Sequence, residues 1–228
     1  MLKTLEKRLI VSCQAPIDSP LHDPQIIAAI AQASILQGAA GVRIDTPSHI
    51  KVTRQKLPKT PIIGLWKQQI PDYEVYITPR FQDAVAIAEA GADIIAIDAT
   101  LRDRPQRETA AGLIANIHDK LGKLVMADID DLESAIKAVE AGADIIGTTL
   151  YGYTPSTSQN NPPGWELLSQ IVEKLPVPAI CEGGISSPEM AKKALDLGAY
   201  AVVVGTAITG IDLKVKAFQT VFDAIEKR

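Results

Sequence analysis

Cysteine is scarce in this 228-residue chain: only Cys13 and Cys181 occur, each inside an apolar run, "LIVSCQA" and "PAICEGG". Two such residues build no spaced framework, which excludes a disulfide-stapled fold and predicts small buried side chains in a reduced, cytoplasmic protein. Histidine is as sparse. His22, His49 and His118 are scattered, and none stands beside Cys or His at ligand spacing, so no metal set is expected. The dinucleotide fingerprint, the P-loop and the nucleophile elbow are all missing, which predicts chemistry without a cofactor. Basic residues are not in excess: 23 Lys and Arg stand against 27 Asp and Glu, a net charge of −4. That balance offers no surface for a nucleic-acid backbone. No apolar run reaches membrane-spanning length, and "MLKTLEKRLIVSCQAP" is too short and too soon interrupted for a secretory signal, so a soluble chain with no membrane partner is expected. Linkers and low-complexity stretches are missing too, and residues 1–228 are expected to form a single domain.

What the chain does have is a weak internal repeat. "GAAGVRID" begins at Gly38, "GADIIAIDAT" at Gly91, "GADIIGTTLYG" at Gly142 and "GAYAVVVGTAITG" at Gly198, at intervals of 53, 51 and 56 residues. The copies follow Ala-rich helical patterns such as "FQDAVAIAEAGAD" and "DLESAIKAVEAGAD". In each, glycine ends a helix and a short apolar run follows, suited to a strand buried on both faces. Four further apolar runs, "RLIVSC", "PIIGLW", "KLVMADI" and "VPAIC", lie between the copies. Eight strands alternating with helices predict an α/β fold, a (β/α)8 TIM barrel, somewhat below the typical size of about 250 residues. A doubly wound sheet is the rival, disfavoured by the even spacing and by the lack of a Gly-rich first turn. The stretch "TPSTSQNNPPGW" reads as a long loop after strand six.

Barrels of this class carry their chemistry where the strands end, because those ends aim side chains into one mouth. The run-ends here are Gln14, Arg43, Lys67, Asp98, Asp128, Thr148 with Thr149, Glu182, and the Gly205-Thr206 turn. Singly, each has a bland explanation: Arg43 and Asp45 as a surface pair, Asp98 or Asp128 as a helix cap, Lys67 as a solvated loop lysine. Together they would share one cavity. Lys67, behind Trp66 and an apolar strand, is expected to be partly desolvated, which favours the neutral amine and general-base work. Glu182 fits either a proton donor facing Lys67 or a fixed partner for a substrate hydroxyl. "EGGISSPEMAKKAL" and "VVVGTAITG" pass through Gly183-Gly184 and Gly205 at the ends of strands seven and eight, where backbone N–H groups can hold a phosphate.

The segments "VSCQA", "GVRI", "PIIGLWK", "EVYITP", "AGADIIAIDAT", "VMADI", "GADIIGTTLYGYT", "ICEGGI" and "VVVGTAIT", in that order, resemble the N-acetylmannosamine-6-phosphate 2-epimerases, also called N-acylglucosamine-6-phosphate 2-epimerases. The resemblance runs nearly end to end. It implies interconversion of N-acetylmannosamine 6-phosphate and N-acetylglucosamine 6-phosphate in sialic-acid breakdown, with Lys67 and Glu182 as the acid–base pair. It further implies Gln14, Arg43 and Asp128 as substrate contacts, Gly184, Gly205 and Thr206 as the phosphate cradle, and a homo-oligomer, a homodimer being the form expected. The chain departs from the family in two places: Gly210 stands where Arg commonly follows "GTAIT", and "DTPSHIK" replaces a Gly- and acid-containing loop after Arg43. Two other functions compete, a Schiff-base aldolase or lyase using Lys67 as nucleophile, and a sugar-phosphate binder without chemistry. The last helical stretch, "LKVKAFQTVFDAIEKR", carries an apolar stripe of Val215, Phe218, Val221, Phe222 and Ile225, expected to pack on its own barrel.

Overall fold

The structure, a computed structural model, describes the backbone of residues 1–226 and the side chains of residues 1–223. Eight parallel strands close into a barrel in sequence order: β1 Leu9–Cys13, β2 Gly41–Asp45, β3 Ile62–Leu65, β4 Ile94–Asp98, β5 Leu124–Asp128, β6 Ile145–Gly147, β7 Ala179–Cys181 and β8 Ala201–Val204. Helices α1 Pro24–Leu36, α2 Pro47–Lys56, α3 Phe81–Ala90, α4 Ala110–Asn116, α5 Leu132–Glu140, α6 Trp165–Lys174 and α7 Pro188–Asp196 follow the first seven strands. A short α8, Thr206–Thr209, and a long α9, Ile211–Glu226, complete the chain. This is the (β/α)8 barrel read from the sequence.

The repeat has a backbone cause. Gly38, Gly91, Gly142 and Gly198 close α1, α3, α5 and α7 at φ of 97°, 104°, 97° and 93°, a left-handed turn that a Cβ disfavours. Each is followed within a few residues by an even-numbered strand. Two βα units fit between successive glycines, which fixes the spacing.

Side chains alternate across each strand and sort into two clusters. Ile10, Ile63, Leu65, Ile94, Ala96, Met126, Ile145, Ile180, Ala201 and Val203 fill the barrel interior. Their sequence neighbours, among them Val11, Val42, Ile62, Ile95, Val125, Ile146 and Val202, face outward into the layer beneath the helices. The interior set has a direct consequence for function. Continuing the two-residue period past the last interior apolar residue of each strand reaches Lys67 on β3, Asp98 on β4, Asp128 on β5, Thr149 on β6, Glu182 on β7 and Gly205 on β8. Period two alone therefore points these residues into one mouth.

The terminal helix departs from expectation. Val215, Phe218, Val221 and Phe222 are 58 to 73% exposed, together with Ile211 and Leu213, so the stripe does not pack on its own barrel. The side chain of Ile225 lies outside the described residues. α9 begins directly after Gly210; among the described residues its side chains are tied to the rest of the protein by Ser19 donating to Asp212 at 3.0 Å and Lys214 donating to the Ala207 carbonyl.

Candidate active site

At the floor of the mouth lies Arg43, 1% exposed. Its Nη1 and Nη2 donate to Asp128 Oδ1 at 3.0 Å and Oδ2 at 2.6 Å, a bidentate pair, and Nη1 is also 2.9 Å from Glu182 Oε2. One guanidinium thus joins β2, β5 and β7. The Thr149 hydroxyl donates to Asp128 Oδ1 at 2.6 Å and sits 3.3 Å from Glu182 Oε2. Thr148 fixes the backbone of Glu182 from below: its hydroxyl donates to the Glu182 carbonyl at 2.9 Å and accepts from the Glu182 N–H at 3.1 Å. Asp128 is fully buried, whereas the Glu182 side chain keeps 13% exposure towards the mouth.

That placement sets the ionisation of Glu182. Burial raises its pKa most; Arg43 opposes the rise, Asp128 adds to it, and Lys67 and Thr149 pull it down again, leaving the carboxyl pushed up to about 7. An acid poised there exchanges its proton readily near neutral pH. Asp128 has both oxygens held by Arg43.

Lys67 forms the other half of the floor. Its Nζ donates to Gln14 Oε1 at 2.6 Å, and Gln14 Nε2 donates in turn to Ser12 Oγ at 2.9 Å. The Lys67 N–H donates to Asp45 Oδ1 at 2.9 Å, so its main chain is pinned beside β2. The lysine is exposed in the open mouth, so the protein alone does not supply the desolvation anticipated from its apolar flank. Only a molecule filling the mouth would.

Two of the bland alternatives fail, while Lys67 is solvent-exposed as its bland reading had it. Arg43 and Asp45 make no surface pair, because Arg43 turns inward and Asp45 holds Lys67. Neither Asp98 nor Asp128 caps a helix: Thr109 caps α4 and Asp131 caps α5. Asp98, paired in register with Asp128, accepts from Thr100 and from Arg102 Nη2 at 2.7 Å, tying down the loop after β4. His22 and His49, distant in sequence, meet with ring centroids 4.5 Å apart. Among the described residues no group of three His, Cys, Asp or Glu side chains is arranged around a metal position, and no helix is long and apolar enough to cross a membrane.

On the rim, Gly183 and Gly184 adopt φ of 103° and 70°, and a Cβ on Gly184 would lie 2.7 Å from the Pro162 main chain. The long loop after β6 therefore presses directly on the Gly-Gly turn. Gly205 precedes the first turn of α8, and Thr206 opens that turn, exposed. Gly210 is crowded against Thr206, whose Cγ2 would be 2.7 Å from a Cβ there. The lip after β2 is strained: Thr46 has φ 74° and ψ 135°, held by its N–H to the Leu65 carbonyl at 2.9 Å and by a 3.2 Å contact of its hydroxyl with His49 Nδ1.

Sequence reasoning assigned no role to Asp45 or to Tyr76, whose phenol lies in the field of Arg43, Asp98 and Asp128. For Asp45 the signal was available, since it lies two residues beyond Arg43 on an interior face. Tyr76 belongs to no strand and had none.

Comparison with known proteins agrees with this architecture. Residues 27–224 match the family described as "Putative N-acetylmannosamine-6-phosphate epimerase". A protein of Synechococcus elongatus, bearing that description as a 2-epimerase, is 59% identical over 224 residues, covering 98% of this chain and 97% of the relative. A counterpart in Thermosynechococcus vestitus is 65% identical over 210 residues, covering 92% and 91%. The solved N-acetylmannosamine-6-phosphate 2-epimerase of Clostridium perfringens superposes with a TM-score of 0.92 at 43% identity, covering 97% of this chain and 96% of that one. Thiamine phosphate pyrophosphorylase of Pyrococcus furiosus, at 18% identity and a TM-score of 0.61, shares the fold alone.

Proposed function

The chain belongs to the N-acetylmannosamine-6-phosphate epimerase family, and on that premise we propose that it interconverts N-acetylmannosamine 6-phosphate and N-acetylglucosamine 6-phosphate by proton transfer at C2, in amino-sugar breakdown. The observation that carries the chemical part is Glu182: a carboxyl at the end of β7, pushed up to about 7 and held by Arg43 of β2, while Lys67 reaches into the same mouth from the end of β3.

In the open-chain sugar the C1 aldehyde acidifies the C2 proton. Loss of that proton moves the C–H electron pair into a C1–C2 double bond and puts the negative charge on the C1 oxygen. Return of a proton to the opposite face re-forms the aldehyde with C2 inverted. Two groups on different sides of C2 serve this exchange, Glu182 and Lys67, one accepting and the other donating. Gln14 steadies the lysine. Arg43 and Asp128 set the charge of the floor and orient Glu182, while the backbone at Gly184, Gly205 and Thr206 receives the phosphate. Phosphate bound between β7 and β8 anchors the end of the sugar that does not react, which holds C2 over the floor.

We read residues 1–228 as one catalytic domain in the cytoplasm, a compartment consistent with two free, buried cysteines. The working form is a homodimer; the exposed apolar face of α9 supports it, since a stripe of this size is rarely left in water.

The deciding experiment is an NMR time course of the purified protein with N-acetylmannosamine 6-phosphate in deuterated water. N-acetylglucosamine 6-phosphate deuterated at C2 is expected from the wild type, with no such product from Lys67→Ala or Glu182→Ala. A protein adduct trapped by borohydride would sink the proton-transfer reading in favour of a Schiff base.

A further inference from the structure

Between the mouth ends of β3 and β4 the barrel wall is not closed by those strands. They pair only through Ile63 with Ile94 and Gly64 with Ile95. Above that level the segment Tyr76-Ile77-Thr78 enters the gap. Ile77 bridges antiparallel to Lys67, the Thr78 N–H donates to the Trp66 carbonyl at 2.9 Å, and the Asp98 N–H donates to the Ile77 carbonyl at 2.8 Å. The Thr78 hydroxyl accepts from the Trp66 N–H at 3.1 Å and donates to the Ala96 carbonyl at 2.7 Å. Three residues of loop thus act as a stave of the wall, hydrogen-bonded on both sides.

Tyr76 is the mouthward end of that stave. Its carbonyl accepts from the Gln68 N–H at 2.9 Å, and its ring packs on the interior cluster that contains Leu65, Ile94 and Met126. The phenol feels the charges of Asp128, Asp98, Arg43 and Arg102, groups borne by β5, β4, β2 and the loop after β4. With its ring on the interior cluster and its main chain at the mouthward end of the stave, the phenol faces the mouth. Burial first, then the two carboxylates, push its pKa up to about 12, so it is a neutral donor at physiological pH. No hydrogen-bond partner for it is found among the described residues. β3 and β4 stand across the eight-strand ring from β7 and β8. A sugar whose phosphate lies at Gly184 and Gly205 therefore extends its reacting end towards Tyr76.

We propose that Tyr76 is a substrate-contacting residue, its hydroxyl donating a hydrogen bond to a carbonyl oxygen at the C1–C2 end of the open-chain sugar. This inference rests on the epimerase reading above. It adds a neutral hydrogen-bond donor beside Lys67, and it explains why a phenol is set among charges with its donor unused.

The test is Tyr76→Phe, which keeps the ring and its packing. The measurements are kcat/KM for N-acetylmannosamine 6-phosphate, C2 deuterium exchange, the inhibition constant of inorganic phosphate, and the thermal midpoint. The expected result is a fall in kcat/KM of about 10- to 100-fold, a parallel fall in exchange, and phosphate inhibition and midpoint unchanged. An unchanged kcat/KM in Tyr76→Phe beside an active wild type overturns the proposal. So does a matching loss of phosphate affinity or of thermal stability, which would make the residue a structural one. If the wild type itself neither epimerises nor exchanges, the functional reading fails separately. The affinity for the sugar phosphate then decides: weaker binding by Tyr76→Phe with phosphate unaffected supports the contact, and equal binding overturns it.

Discussion

Glu182 is asked both to stay in a buried ion pair and to change its charge. In the unfolded chain it ionises near 4.5, in the folded protein near 7. Below 4.5 both states hold the proton, and between the two values the unfolded chain releases it while the folded protein keeps it. Stability of the ligand-free protein therefore falls as pH rises from about 4.5 to about 7 and levels off above. Urea unfolding across that range should show the slope in the wild type and a flatter line in Glu182→Gln; parallel lines would contradict the assignment. The same substitution should lower kcat by about 100- to 10,000-fold and remove the limb near neutrality from the pH dependence of kcat/KM. Arg43 is the partner that keeps this value in range. Arg43→Met leaves two carboxylates facing each other without a cation, and is expected to cost about 3 to 5 kcal/mol at pH 8, with partial recovery on acidification as one of them takes a proton. A denaturation series at pH 6 and pH 8 checks it.

At the level of elements, the lip after β2 and the stave beside β3 make opposite predictions. Thr46 occupies a backbone region that residues with a Cβ rarely enter, so Thr46→Gly should stabilise the protein by about 1 kcal/mol once the added freedom of glycine is set against the relieved strain. Thr78→Val strips two main-chain groups of their partner, the buried Ala96 carbonyl and the part-buried Trp66 N–H, and should destabilise by about 1 to 3 kcal/mol. Thermal midpoints of the two variants moving in the same direction would refute the pair. These elements also mark what the sequence could reveal. The eight strands were legible because four glycines recur at helix ends and the apolar runs between them are short. The facing of Lys67, Asp128 and Glu182 was legible because period two extends to the ends of the apolar runs and beyond them. Who pairs with whom was not: Asp128 meets Arg43 from 85 residues away, across the interior, and residue type says nothing of that reach. Tyr76 was hidden in "EVYITP" because its segment is neither alternating nor helical, and is placed only by the gap it fills. The face of α9 misled for a related reason: an amphipathic stripe says that burial is wanted, not which surface provides it.

For the molecule as a whole, the uncovered face of α9 predicts self-association. Phe218→Glu combined with Phe222→Glu should convert a dimer into a monomer in sedimentation velocity without unfolding the barrel, since both side chains point away from it. A wild type that sediments as a monomer at all concentrations would dismiss the dimer. The floor of the barrel has one further consequence, for heat. A carboxyl poised near 7 is only partly protonated at neutrality, and filling the mouth with a sugar changes that fraction. Each binding event then draws protons from the buffer or returns them. Enthalpies measured by calorimetry should accordingly differ between PIPES and Tris at the same pH; the difference counts the net protons exchanged on binding, and the part of it lost in Glu182→Gln is the share that Glu182 gains or loses as its solvent is displaced.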